Sequence, residues 1–321
     1  MTKGDGKTVI KYYCTENGKI HSLEEHCQGS WIMAVSPTYE ESVTLSNSYG
    51  VDIVDIRAAL DDEESSRVEN SNGYTLIIVD IPTIETVHER ENYTTIPLGI
   101  IVKEDVIITV CSEDTPVLQH FVKHNVREFS TKKQMRFVYQ ILLKTCQVYQ
   151  NNLRVIDKKR TEIEERTSKE DTMDDDLVAV HELEVALVYF ATSLRANSTV
   201  IGKLAKGRVR QYPEDAEILE DVEVENTQAI EMTGIYKDIL MGTRELLSSI
   251  SSNRLNMVMK YLAAITIVMS IPNIVSGLYG MNLEREWMPF AEVAYGFEIL
   301  CLIILVACLI TLIILRKRKM L

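Results

Sequence analysis

The chain has 321 residues, with 47 Asp and Glu against 34 Lys and Arg and a formal net charge of −13. That balance excludes a nucleic-acid surface, which needs clustered Lys and Arg, and it suits a body that meets cations. A hydrophobic share of 46% with 25% charged residues is ordinary for a folded protein, and the length permits two domains, yet the apolar residues concentrate toward the C-terminus.

Met1 to Thr8 runs into polar sequence without the apolar core of a signal peptide, so the N-terminus is expected to stay inside. Gly6-Lys7-Thr8 matches only the end of a phosphate-binding loop, because the glycine that motif requires upstream is replaced by Met1 and no strand precedes it. Nucleotide binding is excluded on that ground. Cys14, Cys27, Cys111, Cys146, Cys301 and Cys308 are scattered and form no CxxC pair, so reduced thiols in a cytosolic domain fit better than a disulfide framework.

Val9 to Tyr13 and Ser30 to Val35 read as strands, and Pro37 to Ser46 as a helix opened by Ser36-Pro37. Val51 to Leu60 reads as helical and Asp61 to Asn72 as polar loop. Tyr74 to Ile81, Ile96 to Val102 and Val106 to Val110 are dense in β-branched residues, which predicts further strands and an α/β sheet domain. His120 and His124 stand one helical turn apart, a spacing that can seat a metal, but no third ligand is recognisable nearby and a surface helix is the better reading. His21, His26 and Cys27 are discounted in the same way.

From Thr131 to Gly207 the pattern predicts two long antiparallel helices. Lys132 to Arg166 repeats apolar positions at Phe137, Ile141, Leu142 and Val148 without Pro or Gly. Ser168 to Asp176 breaks the pattern, and Asp174-Asp175-Asp176 suits the first turn of the next helix, where the helix dipole favours negative charge; a metal cluster at Asp176 is the alternative.

Pro213 opens a third helix that runs to Tyr279, about 100 Å at 1.5 Å per residue, longer than any bilayer, so most of it is expected to project as a stalk. Ile218, Val222, Glu225, Ala229, Met232, Tyr236, Ile239, Thr243, Leu246 and Ile250 step by four and three, the rhythm of a helix packed along its length. Near its start, Glu214, Asp215, Glu217, Glu220, Asp221, Glu223 and Glu225 crowd together with no interspersed Lys or Arg. Such a run is ordinarily a solvated face. Its functional alternative is that carboxylates facing each other across subunits repel until a divalent ion neutralises them.

Between Tyr261 and Tyr279 there is no charged residue, enough helix to cross a bilayer core. Within this first span and its approach, Asn256, Met259, Ala263, Thr266, Ser270, Asn273 and Gly277 fall on one helix face. Polar groups facing lipid would be left unpaired, so this face is expected to meet other helices or water. Two readings stand: a packing seam of small residues, or a pore lining in which several copies turn the stripe toward a shared axis. Met259 and Leu262 would then form an apolar constriction. A second span, Phe297 to Leu315, ends in Arg316-Lys317-Arg318-Lys319, which places the C-terminus inside and the intervening loop outside.

The first span closes on Tyr279-Gly280-Met281-Asn282, followed by a short loop with Met288-Pro289 and the second span. This ending, in this position and with a basic tail after it, resembles the signature of the CorA family of divalent-cation channels. Asn256-Met257-Val258-Met259-Lys260 is also similar to that family, so the resemblance covers about the last 70 residues closely and rests on layout upstream. It implies a homopentameric, funnel-like channel: an α/β cytosolic domain with long antiparallel helices (1–212), a stalk helix (213–256) and a two-helix transmembrane domain (257–321), with Mg²⁺ or Co²⁺ as permeant ion. It assigns Gly280, Met281 and Asn282 to ion entry and selectivity, and ungapped alignment from that triplet puts Asp221 where the family carries a regulatory cation ligand. One departure is Phe290 directly after Met-Pro, where members often carry Glu; cation attraction then rests on Glu284, Glu286 or Glu292.

The expected function is transport of hydrated Mg²⁺, with Co²⁺ as a second ion, across the plasma or inner membrane, gated by cytosolic divalent cation, with both termini cytoplasmic. The partners are the ion, the lipid bilayer and further copies of the chain, not nucleic acid. A zinc or other transition-metal transporter of the same architecture is the alternative, although the stripe contains no Cys or His. A membrane-anchored sensor or scaffold is the other, but a plain anchor needs neither the polar stripe nor Gly-Met-Asn. No nucleophile, base and phosphate-loop combination suggests an enzyme.

Overall fold

The computed structural model describes residues 9–16, 18–71, 73–87, 90–124, 126–167, 173–207, 215–281, 288–290 and 293–318. Gly6 to Thr8, Pro213, Glu214, Asn282, Glu284, Glu286, Glu292 and Lys319 lie outside them, as does the side chain of Asp174. Two compact units are present, Met1–Arg244 and Glu245–Leu321.

The first unit is built on a seven-stranded sheet in the order β2-β1-β3-β7-β6-β5-β4. Its strands are β1 (Val9–Glu16), β2 (Lys19–Leu23), β3 (Ser30–Val35), β4 (Arg67–Ser71), β5 (Tyr74–Val87), β6 (Arg90–Lys103) and β7 (Val106–Cys111). All neighbours are antiparallel except β3 and β7, whose parallel pairing sets Ser30 against Val106 and Val35 against Cys111. Both faces of the central strands are buried, which is why they read as continuous β-branched runs rather than an alternation. Trp31, Met33, Ile77, Val79, Leu98 and Ile100 face one core, with Phe121 and Phe137 from the helices α3 (Pro116–Lys123) and α4 (Gln134–Thr167). Ile32, Ala34, Leu76, Ile78 and Ile108 face the other, under Leu45 and Ile56 of α1 (Tyr39–Tyr49) and α2 (Ile53–Ala58). Within the first core the Trp31 indole N–H donates to the Thr109 hydroxyl at 2.9 Å.

Several boundaries differ from the sequence reading for identifiable reasons. The first helix begins at Tyr39, because Thr38 caps it through a reciprocal box with Glu41, whereas Ser36 is left-handed at φ 48°. Arg67–Ser71, read as loop, is strand β4: it is one edge of the sheet, as β2 is the opposite one, and at an edge one neighbour suffices and no apolar alternation marks the strand.

The long helices α4 and α5 (Met173–Ala205) are present. Asp176 does fall in the first turn of α5, but its carboxylate is fully buried against the Arg166 guanidinium and accepts the Thr167 hydroxyl proton. It ties the end of α4 to the start of α5 as an ion pair, in place of the metal-cluster alternative. Among the described residues three helices are long and apolar enough to cross a membrane: α5, α6 (Ala216–Tyr279) and α7 (Gly296–Lys317). In α5 that surface serves the core of the first unit, where Val180, Leu187, Phe190 and Leu194 are buried. The Asn197 carboxamide also clasps β5, accepting from the Asp80 backbone N–H at 2.9 Å and donating to its carbonyl at 2.7 Å.

The packing stripe of α6 in the first unit is displaced from the one read in the sequence. Val222, Ala229 and Thr243 are buried as expected, but they are joined by Leu219, Asn226, Thr233 and Leu240, while Ile239 is exposed. Both sets step by three and four around the same spine, so spacing alone does not choose between them. Hydrogen bonds from the other helices show which flank is covered: the Asn226 amide donates to the Leu194 carbonyl at 3.2 Å, and the Thr243 hydroxyl donates to Glu164 at 2.5 Å.

Ahead of α6, the Arg136 guanidinium on α4 donates to Asp215 at 2.7 Å and to Glu128 at 2.9 Å, with Asp215 only 1% exposed. Removing one partner of a buried pair strands the other charge. Asp215→Ala is therefore expected to destabilise the protein by on the order of 3 kcal/mol, at the low end for such pairs because Glu128 remains. A thermal-unfolding midpoint equal to wild type would contradict this.

Candidate functional site

In the second unit α6 and α7 expose a broad apolar surface, including Ile265, Met269, Leu302 and Ile313, each more than half exposed at 58%, 61%, 62% and 59%. Contiguous apolar area on this scale has no place in water and fits the hydrocarbon core of a bilayer. One face of α6 is covered by α7: Ala264 is fully buried, Val268 is half-buried, and the Cys308 thiol lies 3.8 Å from the Val268 carbonyl. Ala264, Ile265, Val268, Met269 and Leu312 line a small apolar cavity of about 190 Å³ in this region.

The polar stripe is on a different face. Asn256, Met259, Leu262, Ala263, Thr266, Asn273 and Gly277 are exposed and Ser270 is half-buried. Since Thr266 and Ser270 follow Ala264 and Val268, respectively, by two residues, the stripe lies about 200° around the helix from the face that α7 covers, roughly opposite it. It is therefore not the seam between the two spans of one chain. Its hydroxyls share an orientation: Thr266 donates to the Leu262 carbonyl at 2.8 Å and Ser270 to the Ile267 carbonyl at 2.7 Å. With their protons spent on the helix backbone, these oxygens present lone pairs outward and act as acceptors.

The end of the first span is held locally. Gly280 N–H bonds the Ser276 carbonyl at 2.9 Å and Met281 N–H the Leu278 carbonyl at 3.4 Å. The Tyr279 hydroxyl donates to the Pro289 carbonyl, bringing together the two ends of the segment that contains Asn282. Phe290, the departure noted above, has a left-handed backbone at φ 66°, and a Cβ on Gly296 would stand 2.0 Å from its carbonyl oxygen. That close approach requires glycine there, a constraint sequence reasoning missed; the only signal was a lone Gly heading an apolar run.

Tertiary structure also revises the acidic run in the first unit. Asp215 is neutralised by Arg136, and Glu225 accepts from the Gln150 amide at 2.6 Å, so distant residues supply partners that the local sequence lacks. Glu217, Glu220, Asp221 and Glu223 are exposed on α6. Among the described residues no three His, Cys, Asp or Glu side chains converge as a metal site within the chain. His120 and His124 stack at 5.0 Å, and burial, then the neighbouring Lys144 and His124, hold the His120 imidazole below its ordinary pKa. His26 is engaged by the Ser30 hydroxyl at 2.8 Å.

A large α/β unit, two apolar helices, and a polar stripe on the first that the second leaves uncovered define a multi-pass membrane transport protein. Comparison with known proteins narrows this. The family model described as CorA-like Mg²⁺ transporter protein matches residues 27–317, and the chain belongs to that family of divalent-cation transporters, which are not enzymes. The cobalt/magnesium transport protein CorA of Methanocaldococcus jannaschii is 29% identical over 309 residues, covering 89% of this chain and 90% of its own. The complete structure of the CorA magnesium transporter from that organism matches with a TM-score of 0.78 at 26% identity, covering 98% of this chain and 99% of that one. The cytoplasmic domain of ZntB from Vibrio parahaemolyticus shares the fold alone, with a TM-score of 0.59 at 12% identity over 78% of this chain and all (100%) of that one.

Proposed function

We propose that this protein is a Mg²⁺ channel, also accepting Co²⁺, that passes hydrated ions along the stripe of the first span in a homopentamer whose termini are both cytoplasmic. The observation that carries this reading is the uncovered stripe with its hydroxyls turned into acceptors. A hydrated divalent cation presents water hydrogens outward, and a wall of neutral acceptors holds that shell weakly enough to release it. Lining residues are Asn256, Met259, Leu262, Ala263, Thr266, Ser270, Asn273 and Gly277, with Met259 and Leu262 as the apolar constriction and Gly280, Met281 and Asn282 at the entrance. The relatives named above, described as cobalt/magnesium or magnesium transporters, support the choice of ion. The test is flux into proteoliposomes with Mg²⁺, Co²⁺, Ni²⁺ and Zn²⁺ compared side by side: Mg²⁺ and Co²⁺ are expected to pass, and uptake of Zn²⁺ alone would overturn the reading.

Asp221 is proposed as the regulatory ligand. It is exposed on α6 beside Glu217, Glu220 and Glu223, and a cation there needs further oxygens from a second copy, consistent with a site completed only in the assembly. An ion bound between subunits favours the closed state only through its higher affinity for it. Asp221→Lys places a fixed positive charge at that position, so wild type is expected to show Mg²⁺-dependent protease protection and inhibition of flux at millimolar internal Mg²⁺, with both weakened in the variant. If wild type shows neither response, the acidic run is only a solvated face.

A further inference from the structure

Pro272 lies inside α6, within the uncharged stretch from Tyr261 to Tyr279. Proline has no backbone N–H, so the carbonyl four residues earlier, that of Val268, lacks its helical donor. In hydrocarbon no water replaces it, and an unpaired carbonyl there is costly. The only thiol of α7 that meets α6 in a hydrogen bond among the described residues is Cys308, whose Sγ lies 3.8 Å from the Val268 oxygen. Val268 and Cys308 are both half-buried, next to the fully buried Ala264. Asn273 follows Pro272 directly, so the turn that has lost its hydrogen bond carries part of the polar stripe.

We infer that Cys308 is a positioning residue, which holds the first span at its proline by donating its thiol proton to the Val268 carbonyl and so sets the conformation of the turn that presents Ser270 and Asn273. Without that donor, the turn gains freedom to bend, because proline also crowds the same carbonyl sterically. Thiol donors are weak, which suits a contact that must break and reform rather than lock. The link to transport rests on the stripe being the ion path; the structural link does not.

Amide hydrogen exchange of the full protein in lipid nanodiscs separates the two. Cys308→Ala and Cys308→Val both remove the donor, the second while filling the space, and Cys308→Ser keeps one. Exchange at Ile271 and Asn273 is expected to quicken about threefold to tenfold in the Ala and Val variants and to stay near wild type in Ser, the range expected for loss of one weak hydrogen bond. Unchanged exchange in Ala, or Val behaving as wild type, would overturn the inference and leave a packing contact only. In proteoliposomes the internal Mg²⁺ needed for half-inhibition is expected to shift in Ala and Val but not in Ser. A wild type that responds to Mg²⁺ alongside donor-less variants with the same half-inhibition would overturn the positioning role, whereas a wild type that carries no Mg²⁺ would sink the transport reading and leave the exchange result to decide this one.

Discussion

Mg²⁺ uptake is expected to fall about tenfold to a hundredfold in Asn273→Leu, while Ile274→Leu leaves it within about twofold of wild type. Both residues are exposed in the single chain, so exposure does not distinguish them; Ile274 is 61% exposed. The difference lies in azimuth. Asn273 continues the row of Thr266 and Ser270, whose oxygens accept outward, and an assembled ring of Leu at that level would face a hydrated ion with groups that cannot bond its waters. Losing one such set of contacts costs about 1–3 kcal/mol, which is the predicted range at about 1.4 kcal/mol per tenfold. Ile274 is apolar already, and exchange for Leu keeps volume and polarity. Uptake should be normalised to assembled protein. Equal losses from the two variants would show that the stripe packs against other helices instead of lining a path.

Asn282→Ala is expected to abolish uptake, by more than about a hundredfold, with assembly intact. Asn282 directly follows Met281 at the close of the first span, and its carboxamide is proposed as the ring that first meets the ion, binding through the water shell without full charge. Its truncation removes those oxygens from every copy at once, which is why one small substitution has so large an effect. The bracing contacts of the same segment, Tyr279 to Pro289 and the tight approach of Phe290 to Gly296, involve other residues, so the fold of the second unit is expected to persist. Size-exclusion chromatography reports assembly and dye-based flux reports function; wild-type flux in the variant would sink the entrance assignment.

Much of this protein was legible from sequence because its signals are local and physical. The uncharged run from Tyr261 to Tyr279 and the basic residues after the second span follow from the cost of charge in hydrocarbon, which leaves little freedom in composition. The doubly covered strands announced themselves as β-branched runs, and Gly-Met-Asn at the end of the first span pointed to the family. What only the tertiary structure decided concerns which of several equivalent patterns is used. Along α6 two stripes share the spine of Val222, Ala229 and Thr243, and contacts from α4 and α5 select the flank of Asn226, Thr233 and Leu240. Asp215 and Asp176 carried no local sign of their partners; Arg136 lies far away along the chain, and Arg166 reaches Asp176 only because α4 and α5 turn back on each other. The separation of the polar stripe from the α7 seam was likewise invisible, since a helix's own periodicity says which residues share a face but not which neighbour covers it. That choice is made by long-range packing, and here it leaves the stripe open.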